Sequence, residues 1–146
     1  EGEANLAQIT EAVLQDGYAI VQEFVDGGED GDARIFLLEG QILERGGKLA
    51  AFRRVPTGND PRANISAGGR SVPLEIGDVE RGIVEAMSKK LVADGMFFVG
   101  IDVSGDTVVD INADSPRGMQ SVERLYEIDV CPTVIEALER RTGSKF

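Results

Sequence analysis

The segment 97–116, Phe-Phe-Val-Gly-Ile-Asp-Val-Ser-Gly-Asp-Thr-Val-Val-Asp-Ile-Asn-Ala-Asp-Ser-Pro, limits the possible folds more than any other stretch of the chain. It holds two apolar, β-branched runs around Ser104-Gly105-Asp106, which predicts an antiparallel hairpin. Three oxygen-bearing side chains, Asp102, Asp110 and Asn112, stand inside those runs. Alternation puts Asp110 and Asn112 on one face of the second strand and Val109 and Ile111 on the other. A three-residue loop, 104–106, would set Asp102 opposite Val108 and diagonal to Asp110, on the polar face. A two-residue loop would turn Asp102 to the apolar face, so the longer loop is expected. Two carboxylates and an amide oxygen on one rigid hairpin, in a chain with no His and one Cys, suit Mg2+ or Mn2+ and not zinc or copper. A solvated polar face of an antiparallel sheet fits the same spacing.

Charge distribution adds a second constraint. The chain has 146 residues and a net charge of −11, which opposes nucleic acid and anionic membranes as partners. Between Arg45 and Arg70, however, lie six basic residues and one acidic residue, leaving nine of the 15 basic and 25 of the 26 acidic residues for the rest of the chain. Arginines gathered in an acidic protein suit an anionic ligand, because guanidinium matches carboxylate and phosphate bidentately. Neutralisation of the acidic surface is the plainer reading. No apolar run reaches membrane-spanning length and residues 1–5 lack a basic start, so a cytoplasmic location is expected. Cys131 alone excludes an internal disulfide, and just before an apolar helix it reads as a core thiol.

Taken in order, residues 5–16 carry Leu6, Ile9 and Val13 at helical spacing before Gly17. Residues 18–25 read as a strand leading into the glycine- and acid-rich loop 26–32. A hairpin of residues 33–38 and 41–44 around Glu39-Gly40 is followed, after Gly46-Gly47, by a strand over 48–55. The long loop 56–73 carries Arg62, Asn64, Gly68, Gly69 and Arg70 and is read as functional. A helix over 78–94 presents Val79, Ile83, Met87 and Leu91, with Gly95 as its stop. After the 97–116 hairpin, Pro132 opens a last helix through Arg141, with Val134, Ile135 and Leu138 facing inward and Gly143 ending it. The expected fold is one α+β domain over 1–146, a mainly antiparallel sheet with flanking helices.

The lack of His excludes a nucleophile triad, and no phosphate-binding glycine loop or dinucleotide fingerprint occurs. A hard-metal oxygen cluster with an arginine-rich loop suits phosphoryl chemistry. In sequence, Asp32-Ala-Arg34, Arg54-Val-Pro56, Arg62-Ala-Asn64-Ile-Ser-Ala-Gly68-Gly69-Arg70, Phe98-Val-Gly-Ile-Asp102, Asp110-Ile-Asn112 and Ser115-Pro116 together resemble the C-terminal half of bacterial glutathione synthetase, an ATP-grasp ligase. The likeness runs over about 18–138.

The resemblance implies the ATP-grasp C-terminal subdomain and an ATP-dependent carboxylate–amine ligation, in which γ-glutamylcysteine is phosphorylated and glycine attacks the acyl phosphate. It implies Asp102, Asp110 and Asn112 as Mg2+ (or Mn2+) ligands. Gln22, Glu23, Phe24 and Val25 would contact adenine, with Asp32 near the ribose. Arg54 and Arg70 would serve the transferring phosphate and developing anion, while Arg62, Asn64, Gly68, Gly69 and Ser115 would bind the peptide substrate. It further implies a homo-oligomeric full-length protein. Family members are longer, with an N-terminal domain and a glycine-rich phosphate lid, so weak or no turnover is expected of these residues alone. Departures are Asp110 where the family motif has Glu, an apparent insertion at 44–48, and Gln120 where some relatives have an arginine. A glutamate-adding ATP-grasp ligase and a non-catalytic nucleotide-binding module are the alternatives.

Overall fold

The sheet grows outward from its central strand β1 (Asp32–Leu38), whose five middle residues are all buried. A strand can be buried on both faces only if it is apolar on both, or if its polar groups are paired; β1 combines Ala33, Ile35, Phe36 and Leu37 with Arg34. The structure is a computed structural model that describes residues 5–15, 17–19, 21–23, 25, 31–56 and 70–143.

After β1 the chain turns at Glu39-Gly40, both left-handed (φ 51° and 77°), the backbone of a type I′ hairpin turn. It returns as β2 (Gln41–Ile42), which pairs with β1. Residues 44–49 then leave the sheet as a separate hairpin of β3 (Glu44–Arg45) and β4 (Lys48–Leu49). The break is closed on both sides of one residue: Leu43 N–H donates to Phe36 O at 2.8 Å, and Phe36 N–H donates to Ala50 O at 2.9 Å. The expected strand over 48–55 is therefore β4 plus a distinct β5 (Ala51–Val55). Residues 44–48, which the sequence suggests as an insertion, lie within this excursion.

The main sheet runs β6-β5-β1-β7-β8, with every pairing antiparallel. Here β6 is Arg70–Pro73, β7 is Phe98–Ser104 and β8 is Thr107–Asn112. This bears out the α+β, mainly antiparallel expectation. Helices cover both faces. On one, α2 (Asp78–Ala93) lays Val84 and Leu91 over Ala33, Ile35, Leu37, Ala51, Val99, Ile101 and Val103. Val84 joins Ile83 and Met87 in that contact, whereas Val79 of the expected stripe is exposed. The N–H of Gly77 donates to the Glu80 carboxylate at 3.0 Å, closing the helix start.

On the other face, α3 (Met119–Tyr126) and α4 (Cys131–Thr142) cover Phe36, Phe52 and Leu43, with Val122 and Val130 fully buried. Phe36 stacks on Phe98 with ring centroids 5.9 Å apart and tilts against Phe52 at 6.3 Å. α3 is a helix that the sequence reading passed over, although Met119, Val122, Leu125 and Tyr126 repeat at helical spacing. The Tyr126 hydroxyl accepts from Leu74 N–H at 2.9 Å and donates to Ala51 O at 2.9 Å, fastening α3 to the strand ends. In α4 the buried residue is Ala137, with Val134 packed on the core, and the expected Ile135 is exposed.

Two further expectations are corrected among the described residues. Those of the expected strand 18–25 form no strand, and Tyr18 and Val21 are fully exposed there. α1 (Leu6–Leu14) forms where expected, with Gly17 after it, but buries none of its residues. Most of the apolar side chains there, Leu6, Ile9, Val13, Leu14, Tyr18 and Val21, are exposed, and a β ladder needs a partner strand to bond. The expected loop 56–73 narrows to residues before β6, and its portion 57–69 lies outside the described residues.

Glu127, the residue closing α3, sits in the left-handed region (φ 56°, ψ 38°), where a Cβ is unfavourable. Glu127→Gly is expected to raise stability by about 0.5–1 kcal/mol, read as a higher midpoint in urea titration with an unchanged slope.

Candidate functional site

The two helix-covered faces differ in polarity at one end. On the α3 side, β1, β5 and β7 carry Phe36, Phe52 and Phe98 toward α3 and α4. Farther along the same strands, that face presents Arg34, Arg54 and Asp102. Alternation alone produces this division, since 34 and 36, 52 and 54, and 98 and 102 share parity.

Asp102 faces Asp110 directly across β7 and β8. The expected three-residue loop does not form, because Ser104 pairs with Thr107 and Val103 with Val108, leaving Gly105 and Asp106 as a two-residue turn. A register shift follows: the next pair is Asp102 with Asp110, so Val109 stands as an extra residue on β8. This β-bulge supplies the parity change assigned from sequence to the loop. Gly100 pairs with Asn112 beyond it, so Asp102, Asp110 and Asn112 share a face as expected, with the carboxylates opposite and not diagonal.

Asp102 is buried, at 4% exposure, between two guanidiniums themselves only 6% (Arg34) and 8% (Arg54) exposed. Arg34 donates from Nε to Asp102 Oδ1 and from Nη2 to Oδ2 at 2.8 Å, a bidentate pair. Arg54 Nη2 lies 2.8 Å from Asp102 Oδ2. Arg54 also holds Asp32, from Nε to Oδ1 at 3.0 Å and from Nη2 to Oδ2. The ladder places these groups side by side: Arg34 is paired with Asp102, and Asp32 with Arg54. Burial pushes the Arg54 guanidinium down, but the bond to Asp32 and the charges of Asp102 and Asp32 outweigh it and hold the group above its ordinary value. Arg54 thus stays charged at neutral pH.

Arg34 was not among the expected site residues. Its signal was a charged residue inside an otherwise apolar strand of six, a position tolerated only when paired. The close packing around it relies on glycine. A Cβ on Gly100 would lie 3.2 Å from Pro116 Cβ and 3.4 Å from Arg34 Cδ. Gly31 (φ 69°) passes so near that a Cβ would fall 1.9 Å from Arg54 O. Arg34 Nη1 also donates to Arg117 O at 2.9 Å, tying the segment before α3 to the cluster.

The Asp110 and Asn112 end is more open. Asp110 Oδ1 accepts from the Ile111 N–H at 2.9 Å and Oδ2 from Asn112 Nδ2 at 2.9 Å, which fixes the Asn112 amide with its nitrogen toward Asp110. By lone-pair count over these bonds, Asp102 Oδ1, both Asp110 oxygens and Asn112 Oδ1 each keep a site for a hard cation. The donor set therefore fits Mg2+ or Mn2+. Among the described residues no group of three or more His, Cys, Asp or Glu could hold a metal, so the amide would be needed, together with oxygens from a ligand. Asp32, Asp102 and Asp110 against Arg34 and Arg54 leave one net negative charge. One net negative charge only half-balances a divalent ion, so anionic oxygens of a ligand would complete the neutralisation.

The sequence model of the family described as prokaryotic glutathione synthetase, ATP-grasp domain, matches residues 1–127. The chain belongs to this family. It is 37% identical over 140 residues to a glutathione synthetase of Synechococcus elongatus, covering 94% of this chain and 42% of that protein. It is 33% identical to that of Vibrio cholerae, over 97% of this chain and 43% of the relative. With that of Citrobacter rodentium it shares 31% identity over 97% of its length and 44% of the relative's. The chain spans less than half the length of these curated relatives.

Within this glutathione synthetase ATP-grasp chain, the structure brings Asp32, Arg54, Asp102, Asp110 and Asn112 to one end of one face. Arg70, the first residue of β6, pairs with Val55 and is exposed. Ser115 is exposed just after β8. Gln22 and Glu23 are exposed and Val25 half-buried, while Phe24, Arg62, Asn64, Gly68 and Gly69 lie outside the described residues. Gln22 reaches β8, donating from Nε2 to Val109 O at 3.0 Å. Cys131, expected in the core, is exposed at the start of α4. There, partial burial, then its bond to Asp129, push its thiol up.

Two outcomes are expected. Asp102→Asn places an amide N–H2 among guanidinium N–H groups and leaves buried positive charge short of its partner, which should lower stability by about 3–5 kcal/mol in urea titration. The raised Cys131 thiol carries less thiolate at any pH below its titration. Its alkylation by iodoacetamide should therefore run slower than that of an unstructured cysteine peptide at pH 7.5 and approach it only at higher pH.

Proposed function

We propose that this chain is the metal- and phosphate-binding half of an ATP-dependent carboxylate–amine ligase, joining γ-glutamylcysteine to glycine. The observation that carries the reading is Asp102 and Asp110, opposed across a bulged hairpin and flanked by two buried arginines, in a chain of the glutathione synthetase ATP-grasp family. The relatives' own name supports the substrate pair. No helix among the described residues is long and apolar enough to cross a membrane. The full-length enzyme would be cytoplasmic and homo-oligomeric.

Asp102, Asp110 and Asn112 would hold Mg2+ or Mn2+, which would supply charge neutralisation between the ATP phosphates. The chain's residues provide the rest. Arg54, held by Asp32 and Asp102 in one orientation, presents fixed positive charge where the γ-phosphoryl group passes to the carboxylate of γ-glutamylcysteine. Because its partners hold it before ligand arrives, little reorganisation is required during transfer. Arg70, with Arg62, Asn64, Gly68, Gly69 and Ser115, would fix the peptide and its developing anion. The glycine amine then attacks the acyl phosphate, a C–N bond forms, and phosphate leaves. Gln22, Glu23, Phe24 and Val25 would border adenine, and Asp32 would serve the ribose side chiefly by fixing Arg54.

The test is a chimera in which this chain replaces the matching segment of the Synechococcus elongatus relative. Glutathione formation from γ-glutamylcysteine, glycine and Mg–ATP is expected, and Asp102→Asn should lower kcat/KM at least about 100-fold. Ligation of glutamate to an acceptor peptide in place of glycine would reassign the substrate, and full activity in the variant would remove the metal role. Robust ligation by the 146 residues alone would overturn their reading as part of a site.

A further inference from the structure

We infer that Gln22 is a positioning residue for Asp110, tying the segment assigned to adenine to the bulge that sets the metal ligands; the inference rests on the metal role proposed above. Val109 stands opposite no residue of β7, and β8 is the edge of the sheet. The register around such a residue is held less firmly than inside a ladder. Removing the bulge would slip β8 by one residue, pairing Asp102 with Val109 and carrying Asp110 to a place opposite Ile101, on the apolar face covered by α2. Asp110 would then be lost to the site.

Gln22 acts at this point. Its Nε2 donates to Val109 O at 3.0 Å across 87 residues of sequence, so the bulged residue itself carries the bond to Gln22. A neutral amide is suited to this task, since it bonds the carbonyl without adding charge beside Asp110. Because Gln22 begins the proposed adenine segment, contacts to the base and to the cation bias one local arrangement. Linkage then makes each favour the other.

The experiment uses the whole chain, with Mn2+ and inorganic tripolyphosphate as a probe that has no base, beside Mn2+ and ATP. Gln22→Met keeps the length and removes the donor without adding charge. It should weaken binding of the Mn2+–tripolyphosphate complex to the chain, read by isothermal titration calorimetry, by about two- to tenfold, the range of one hydrogen bond. In the ligand-free chain, amide hydrogen exchange at Asp110 and Ile111 should quicken by a similar factor, with exchange in β1 and β5 unchanged. Weakening of ATP alone, with tripolyphosphate binding and exchange untouched, would make Gln22 a base contact only and overturn the inference. Failure of the unsubstituted chain to bind Mn2+–tripolyphosphate would instead remove the metal-site reading and this inference with it.

Discussion

The interaction on which the rest of this structure depends is the buried ion network that crosses three adjacent strands: Asp32 and Arg34 on β1, Arg54 on β5 and Asp102 on β7. Four charged groups inside a sheet are tolerable only because the ladder sets them in direct register, Asp32 beside Arg54 and Arg34 beside Asp102. A slip of one residue would turn each of them into the α2 core, where they would meet Ile35, Ile101 and Ala51. The network therefore acts on folding by penalising wrong registers. Whether it adds net stability over apolar residues is a separate matter, since paired buried ions commonly break even against them.

That same arrangement gives the face its division of labour. The aromatic half, Phe36, Phe52 and Phe98, takes α3 and α4 and excludes water, while the charged half is left at the end of the strands beside a two-residue turn and an exposed edge. α3 is not a bystander. Tyr126 fastens it to Ala51 and Leu74, and the segment leading into it delivers the Arg117 carbonyl to Arg34. Gly118, before α3, lies with room for no Cβ, which would come 2.9 Å from the Phe52 ring. Packing of the aromatic half thus fixes one hydrogen bond of the charged half.

Much of this was legible in the sequence because it rests on local chemistry. Glycines at the helix ends, Pro132 in the first turn of α4, Glu39-Gly40 as a hairpin turn and the polar face of the 97–116 hairpin each follow from short-range rules. What sequence did not carry is relational. The bulge at Val109 cannot be told from a longer loop, because both restore the same parity. Arg34 reads as a flaw in a core strand until Asp102 is placed beside it. Segment 18–25 has a strand's composition but no strand beside it among the described residues, so composition and outcome diverge. α3 was passed over because its first residues, after Ser115-Pro116-Arg117-Gly118, look like loop, and its short apolar stripe only gains meaning against the Phe36 and Phe52 rings.

The closure of β1 on both Leu43 and Ala50 has a consequence for how such a chain can diversify. Phe36 spends its N–H and its C=O on residues that flank the 44–49 excursion, so the sheet is sealed at its base whatever length of chain loops out between them. Residues added or removed there alter the outline of the molecule near α4, where Arg45 Nη1 reaches Thr133 Oγ1 at 3.1 Å, and leave Arg54 beside Asp32. The hairpin is a sealed port in the architecture, a place where the protein can acquire a new surface while the charged end of its sheet keeps its register.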